Sequence, residues 1–271
     1  MGQIEHQIKN LYFKAFKRFE ETMQVLLTPY FLEIYKPDFH AIKKEGWLEN
    51  LYKGDDQEQN KVITILNKQV ADFVQASITQ DKFPVAIGGD CHKTFGVLKG
   101  LNSCGLNPAL LWLDAHGDFN TFETTPSGFV GGMSLAILTG HEEPGLLADH
   151  ELEPLKEEKV IIFDRRNLDE KEAIALANSK VRQPENLPEL LEECNKEKEI
   201  YLHLDTDIIN PVDAPAMLYA ASGGPRLPEL KEFLKSIKEK IVAVSITMWE
   251  PSLDKDKQTE KAVFELIQLF D

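Results

Sequence analysis

From Phe83 onward, short runs of consecutive apolar residues alternate with stretches whose apolar positions recur every three or four residues. The runs Pro84-Val85-Ala86-Ile87, Ala109–Leu113, Lys159–Phe163, Glu199–Leu204 and Ile241–Ile246 are apolar nearly throughout, as strands covered on both faces are. Helical patterning falls between them, at about Thr94–Lys99, Gly132–Leu138, Asp169–Ala177, Pro188–Lys196 and Pro228–Lys240, and again at about Thr259–Phe270. Strand and helix in alternation predict an α/β fold: a mainly parallel sheet with helices on both faces, a three-layer α/β/α arrangement.

The N-terminal part follows a different pattern. Ile4, Ile8, Leu11, Ala15, Phe19, Met23 and Leu26 recur at three- and four-residue steps, which predicts an amphipathic helix closed by Pro29. The stretch Tyr30–Gln59 is irregular, with Pro37, Gly46 and Gly54, and a second helix is expected over Asn60–Thr79. The expectation is a single domain spanning 1–271 whose first eighty or so residues form an atypical helical segment. No repeat or linker divides the chain, and its chemical motifs are spread out yet must meet at one site.

Composition narrows the classes of partner. A formal charge of −15 would repel nucleic acid and anionic membranes, so neither is expected. No apolar run approaches membrane-spanning length, and the N-terminus lacks a basic stretch followed by an apolar one. Cys91, Cys104 and Cys194 are odd in number and show no paired spacing, which suits a reducing, cytoplasmic setting.

Two of the apolar runs end in acidic clusters: Asp114-Ala115-His116-Gly117-Asp118 and Asp205-Thr206-Asp207. Each alone could be a strand end with a solvated turn. Side chains at the carboxyl ends of parallel strands converge in one crevice, however, and four carboxylates gathered there would repel one another unless cations sat between them. The constellation therefore implies metal, with two ions sharing bridging carboxylates.

These residues resemble the arginase/agmatinase/formiminoglutamase (ureohydrolase) family of dinuclear manganese hydrolases. Gly88-Gly89-Asp90-Cys91 corresponds to that family's G-G-D-H, Asp114–Asn120 to D-A-H-x-D-x-N, and Asp205-Thr206-Asp207 to its last D-x-D, over a recognisable span from about Phe83 to Leu253. The family's glycine-rich opening has no counterpart in the first eighty residues.

The resemblance implies an arginase-like fold and a pair of Mn²⁺ ions. Asp114 and Asp205 would bridge both, His116 and Asp207 would complete one site, and Asp118 would complete the other while orienting the attacking hydroxide as the catalytic group. Cys91 stands where the family has a histidine ligand, and a thiolate favours a softer metal such as Zn²⁺ or Fe²⁺. Three outcomes are open: Cys91 ligates, one ion is weakly held, or the adjacent His92 reaches in. Packing as a small buried residue is the competing reading of Cys91. His6, His40, His92, His141 and His150 individually read as surface or structural residues. His203, two residues before Asp205, points to the same side of its strand and reads either as a support for the ligands or as a satisfied core histidine.

The resemblance extends to substrate binding. In arginase-like members an Asn, a Thr and a Ser in the loop after the first acidic cluster hold an α-carboxylate, and these match Asn120, Thr125 and Ser127. The acid that binds the α-amino group maps to Asp169, which would also serve as a helix cap with Glu172. At the reactive end, Gly131 replaces a proton-shuttling histidine. Met248 falls on the glutamate that pairs with guanidinium, unless a two-residue shift lets Glu250 serve.

The expected function is metal-dependent hydrolysis of a non-peptide C–N bond in a small guanidino, hydroxyguanidino or formimino amino-acid-like substrate. The alternative is a catalytically inactive metal-binding protein with a regulatory or assembly role. A homo-oligomer is implied by the resemblance alone.

Overall fold

Strands buried on both faces carry this fold. The computed structural model describes residues 21–55, 58–142, 147 and 149–271. In chain order the strands are β1 (Glu21–Thr28), β2 (Tyr30–Phe31), β3 (Ile34–Tyr35), β4 (Leu48–Glu49), β5 (Lys82–Gly88), β6 (Ala109–Asp114), β7 (Val160–Asp164), β8 (Ile200–Asp205) and β9 (Ile241–Thr247). Seven form one sheet in the order β4-β1-β5-β9-β8-β6-β7, with every pair parallel. β2 and β3 form a separate antiparallel pair.

The helices are α1 (Gln59–Thr79), α2 (Lys93–Ser103), α3 (Ser134–Thr139), α4 (Glu170–Asn178), α5 (Leu187–Asn195), α6 (Leu227–Ile237) and α7 (Gln258–Ile267). Alternate side chains of each strand feed opposite cores, as the two-residue period requires. Leu111, Leu113, Leu202, Leu204, Val244 and Ile246 pack with α5, α6 and α7. Leu110, Trp112, Ile162, Tyr201 and Ala243 pack on the other face with α1, α2, α3 and α4. This is the three-layer α/β/α architecture that the alternation predicts, and the helices and strands expected after residue 59 are all present within a few residues.

The first expected helix is not borne out where the chain is described. Residues 21–28 form β1, paired in parallel with both β4 and β5; the earlier part of that helix lies outside the described residues. In β1, Val25 and Leu27 enter one core while Leu26 enters the other. An apolar run this short satisfies the helical and the extended pattern equally, and the open edge of β5 decides between them. Pro29 therefore closes a strand instead of a helix.

The strands that deliver chemistry, β5, β9, β8 and β6, are consecutive neighbours in the sheet. Their register sets Leu113 beside Leu204 and Asp205 beside Thr247, so the carboxyl ends finish level and the loops beyond them share one crevice.

Candidate metal centre and its cleft

One local device recurs at three strand ends. An aspartate carboxylate accepts the backbone N–H two residues on, which folds the chain sharply at the strand end. Asp90 Oδ1 takes His92 N–H at 3.0 Å, Asp114 Oδ1 takes His116 N–H at 2.6 Å, and Asp205 Oδ1 takes Asp207 N–H at 2.9 Å. The D-x-H and D-x-D spacing is thus a turn as well as a candidate ligand set.

Longer-range contacts join the second and third turns. Ala115 N–H donates to Asp207 Oδ1 at 2.9 Å, and the Trp112 indole donates to Asp114 Oδ2 at 3.0 Å. His116 Nδ1 stands 2.8 Å from Asp207 Oδ2 and 3.5 Å from Asp114 Oδ1. Asn167, which the sequence did not single out, meets the other nitrogen of His116 at 3.1 Å and so holds the ring at both ends. Cys91 Sγ lies 3.4 Å from Asp205 Oδ2 and 3.4 Å from Thr247 Oγ1. Gly117 is required at the turn between His116 and Asp118, since a Cβ there would come within 2.7 Å of Glu172 Oε1. Asp118 itself has φ +46°, and its carbonyl accepts two N–H groups at the start of α3.

The electrostatics are those of a cluster short of positive charge. Asp114, Asp118, Asp205 and Asp207 are all buried. Burial raises the Asp118 and Asp205 pKa values well above the usual carboxylate range, and neighbouring carboxylates, Asp114 among them, add to the rise. Asp114 is raised by the same two causes, with Asp207 its charged neighbour. Burial would lower the His116 pKa, but Asp114 and Asp207 drive it up to about 12, because the imidazolium is the cation at hand. The Cys91 thiol is pushed well up by burial and by the charges of Asp118, Asp205 and Asp114.

Several buried polar atoms around the cluster lack a hydrogen bond: Asp118 Oδ2, Asp207 Oδ2 (no hydrogen bond is aligned to it despite the close His116), His203 Nε2 and His92 Nε2. Two groups of side chains bring ligand atoms within 4.8 Å of one another, Asp114–His116–Asp207 and Cys91–Asp114–His203. Orphaned oxygens, mutual repulsion and convergent ligand atoms fit divalent cations. His92 belongs to neither group. Its ring faces Asp90, Ser134 and Phe95 instead.

A cleft of about 220 Å³ opens above this floor. Cys91, His116, Asp118 and Asp205 line its base, and Asn120, Thr125, Ser127 and Asp169 line its side, while Asp114 and Asp207 lie outside the lining. Asn120 Nδ2 donates to Asp169 Oδ2 at 3.0 Å, while Thr125 Oγ1 and Ser127 Oγ lie 3.4 Å apart. Asp169 also precedes α4, where Glu172 accepts its N–H at 3.1 Å, so the capping role is present as well.

A further wall, of Phe129, Gly131, Gly132, Tyr219 and Met248, carries no charge, and Asn167 and Glu172 complete the lining. Phe129 packs against Phe31 and Tyr219 and fills the space beside Gly131, where a Cβ would come within 2.3 Å of its ring. Glu250 does not line the cleft. It is buried and tied to Lys36 Nζ at 2.7 Å and to the Ser252 hydroxyl at 2.6 Å.

Comparison with known proteins agrees with this geometry. A model of the arginase family matches residues 35–270. The arginase of Bacillus subtilis (strain 168) is 30% identical over 230 residues, covering 79% of this chain and 78% of that protein. A crystal structure of arginase from Bacillus subtilis superposes with a TM-score of 0.78 at 26% identity, covering 92% of this chain and 98% of that one. Formimidoylglutamase from Bacillus subtilis subsp. subtilis str. 168 shares the fold at a TM-score of 0.72 and 15% identity, over 92% of this chain and 86% of that one.

Proposed function

The chain belongs to the arginase family, and from that premise we propose that it hydrolyses the C–N bond of a substituted guanidine or formimino group on a small amino acid, with a pair of divalent cations held by Asp114, His116, Asp118, Asp205, Asp207 and Cys91. The observation that carries this reading is the cleft itself. The buried carboxylates of Asp118, with an unsatisfied oxygen, and Asp205 form its floor, and amide, hydroxyl and acid groups form one wall.

Such cations, when bound, supply an acidified water and polarisation of the substrate's C=N group. The chain's own residues do the rest. Asp118 Oδ2 accepts a proton-bearing O–H of the attacking water and aims it, since that oxygen has no other donor. Asn120, Thr125 and Ser127 donate to an α-carboxylate, and Asp169, already oriented by Asn120, accepts from an α-ammonium. His116 is kept in one orientation by Asn167, which favours one tautomer at the floor.

The reactive end separates this protein from an enzyme for free guanidinium. Met248, Phe129 and Tyr219 offer no counter-charge, Glu250 is already engaged by Lys36, and both oxygens of Glu172 are taken by the N–H groups of Phe119 and Asp169. Burying an unpaired guanidinium there is costly, so a substrate whose C=N group is less basic than a guanidine, such as a formimino or N-hydroxyguanidino group, is accommodated better. The test is turnover of arginine, N-hydroxyarginine, agmatine, guanidinobutyrate and formiminoglutamate with added Mn²⁺. Substrates bearing both α-amino and α-carboxylate groups should exceed decarboxylated analogues by ~10²-fold in kcat/KM. Formimino or substituted compounds should exceed arginine. Equal rates on arginine and agmatine would remove the head-group assignment. Metal uptake without turnover of any compound would favour the alternative of a catalytically inactive metal-binding protein, a reading that Gly131 and Met248 keep in view.

A further inference from the structure

His203 has no role in the reaction outlined above, yet it is wholly buried against the floor of the centre. Its Nδ1 lies 3.0 Å from Thr94 Oγ1 and 2.9 Å from Ser245 Oγ, and Ser245 is in turn 2.6 Å from the Tyr201 hydroxyl. The indole of Trp112 packs on the ring at 3.9 Å between centroids. Nδ1 is therefore satisfied and the ring is clamped, while Nε2 has no partner. In either tautomer a buried polar atom is stranded, which is costly if nothing meets it. His92 Nε2 is likewise unpartnered, but of these two rings only that of His203 belongs to a group of convergent ligand atoms.

What lies in reach of the ring is a set of ligand atoms. Cys91, Asp114 and His203 bring a sulfur, an oxygen and a nitrogen within 4.8 Å of one another, and Asp205 Oδ2 is a further 3.4 Å from the sulfur. Two donors on one tetrahedral zinc stand roughly 3.5 Å apart, so closure asks for shifts of about an ångström. We propose that His203 Nε2 supplies an imidazole ligand that Cys91 and Asp114 share, making the inner half of the centre a sulfur–nitrogen–oxygen site that selects Zn²⁺ over Mn²⁺. The outer half, at Asp114, His116 and Asp207, keeps an oxygen–nitrogen set suited to Mn²⁺. Ligation breaks the Cys91 S–H bond, forms the metal–sulfur bond and releases the proton to solvent, with no change of oxidation state. The proposal rests on the reading of the carboxylate cluster as a metal centre.

The test uses the full chain and the metals alone. Co²⁺ titrated into the chelated protein should give a thiolate-to-cobalt charge-transfer band that is absent in Cys91→Ser. His203→Asn keeps a polar atom near Nδ1 for the two hydroxyls and deletes Nε2. It should weaken Zn²⁺ binding at the thiolate site by ~10²-fold or more while Mn²⁺ uptake at the outer site persists. X-ray absorption of His116→Asn loaded with one equivalent of Zn²⁺ should show sulfur and imidazole on the same ion, a readout that does not depend on His203→Asn folding. Sulfur without imidazole in that spectrum would overturn the proposal, as would Zn²⁺ affinity within twofold of the parent in folded His203→Asn. A parent protein that takes up neither Co²⁺ nor Mn²⁺ would instead overturn the metal-centre reading on which the proposal stands.

Discussion

Asp90 and Asp205 share a local structure and differ in everything around it. Each stands at or just past the carboxyl end of an interior strand, is buried, and accepts the N–H two residues on. Asp90 also receives the buried Lys93 ammonium at 2.9 Å and Leu32 N–H at 2.8 Å. Burial alone would raise its pKa, but Lys93 and His92 hold it well below the usual carboxylate range. Asp205 has no such partner; beyond its own turn it meets a neutral thiol and the repulsion of Asp207 and Asp114, so its pKa moves up. Three acidic turns of near-identical chemistry therefore divide into one neutralised by a buried lysine and two that have none. The counter-charge, supplied within the chain or from outside it, separates a structural carboxylate from a metal ligand.

The contrast should appear first in stability. Asp90→Asn leaves Lys93 buried without a counter-charge and should lower the free energy of unfolding by about 3–5 kcal/mol, measured by urea denaturation with and without chelator. An unchanged midpoint would mean that Lys93 finds another partner and would break the comparison. Saturating metal should have the next largest effect: at a free concentration a hundredfold above Kd it adds about 2.7 kcal/mol to the parent protein, read as a rise in Tm. No rise would contradict the assignment of the second and third turns.

Asp205→Asn should then reverse the sign seen at Asp90. In chelator it relieves repulsion and should raise stability by on the order of 1 kcal/mol, while the metal-dependent rise in Tm disappears. A loss of stability in chelator would show that the carboxylate is compensated after all. Trp112→Phe should have the smallest effect. It removes the indole donor to Asp114, and metal affinity should fall about tenfold by competition with a chromogenic chelator, with the fold intact. Affinity equal to the parent's would mean the indole does not orient that ligand.

Much of this was legible along the chain. The strands from residue 82 onward announce themselves as apolar runs because both of their faces are covered, and the i to i+2 turns follow from residues adjacent in sequence. The cleft's Asn120, Thr125, Ser127 and Asp169 were likewise expected and do face one space. Residues 21–28 were not legible, since a run that short takes whichever form its neighbour offers, and β5 offers an edge. Nor were Phe129 occupying the space beside Gly131, Lys36 claiming Glu250, or the unpartnered Nε2 of His203.

The sequence by itself determined the order of strands and helices from residue 59 onward and the acidic turns at the strand ends, because periodicity and short-range hydrogen bonds depend on near neighbours. Only the tertiary structure decided which of those turns is neutralised, which histidine nitrogen is left free and which wall of the cleft carries no charge. Compensation of a buried charge depends on groups that meet across the sheet from distant parts of the chain, and no local pattern records them.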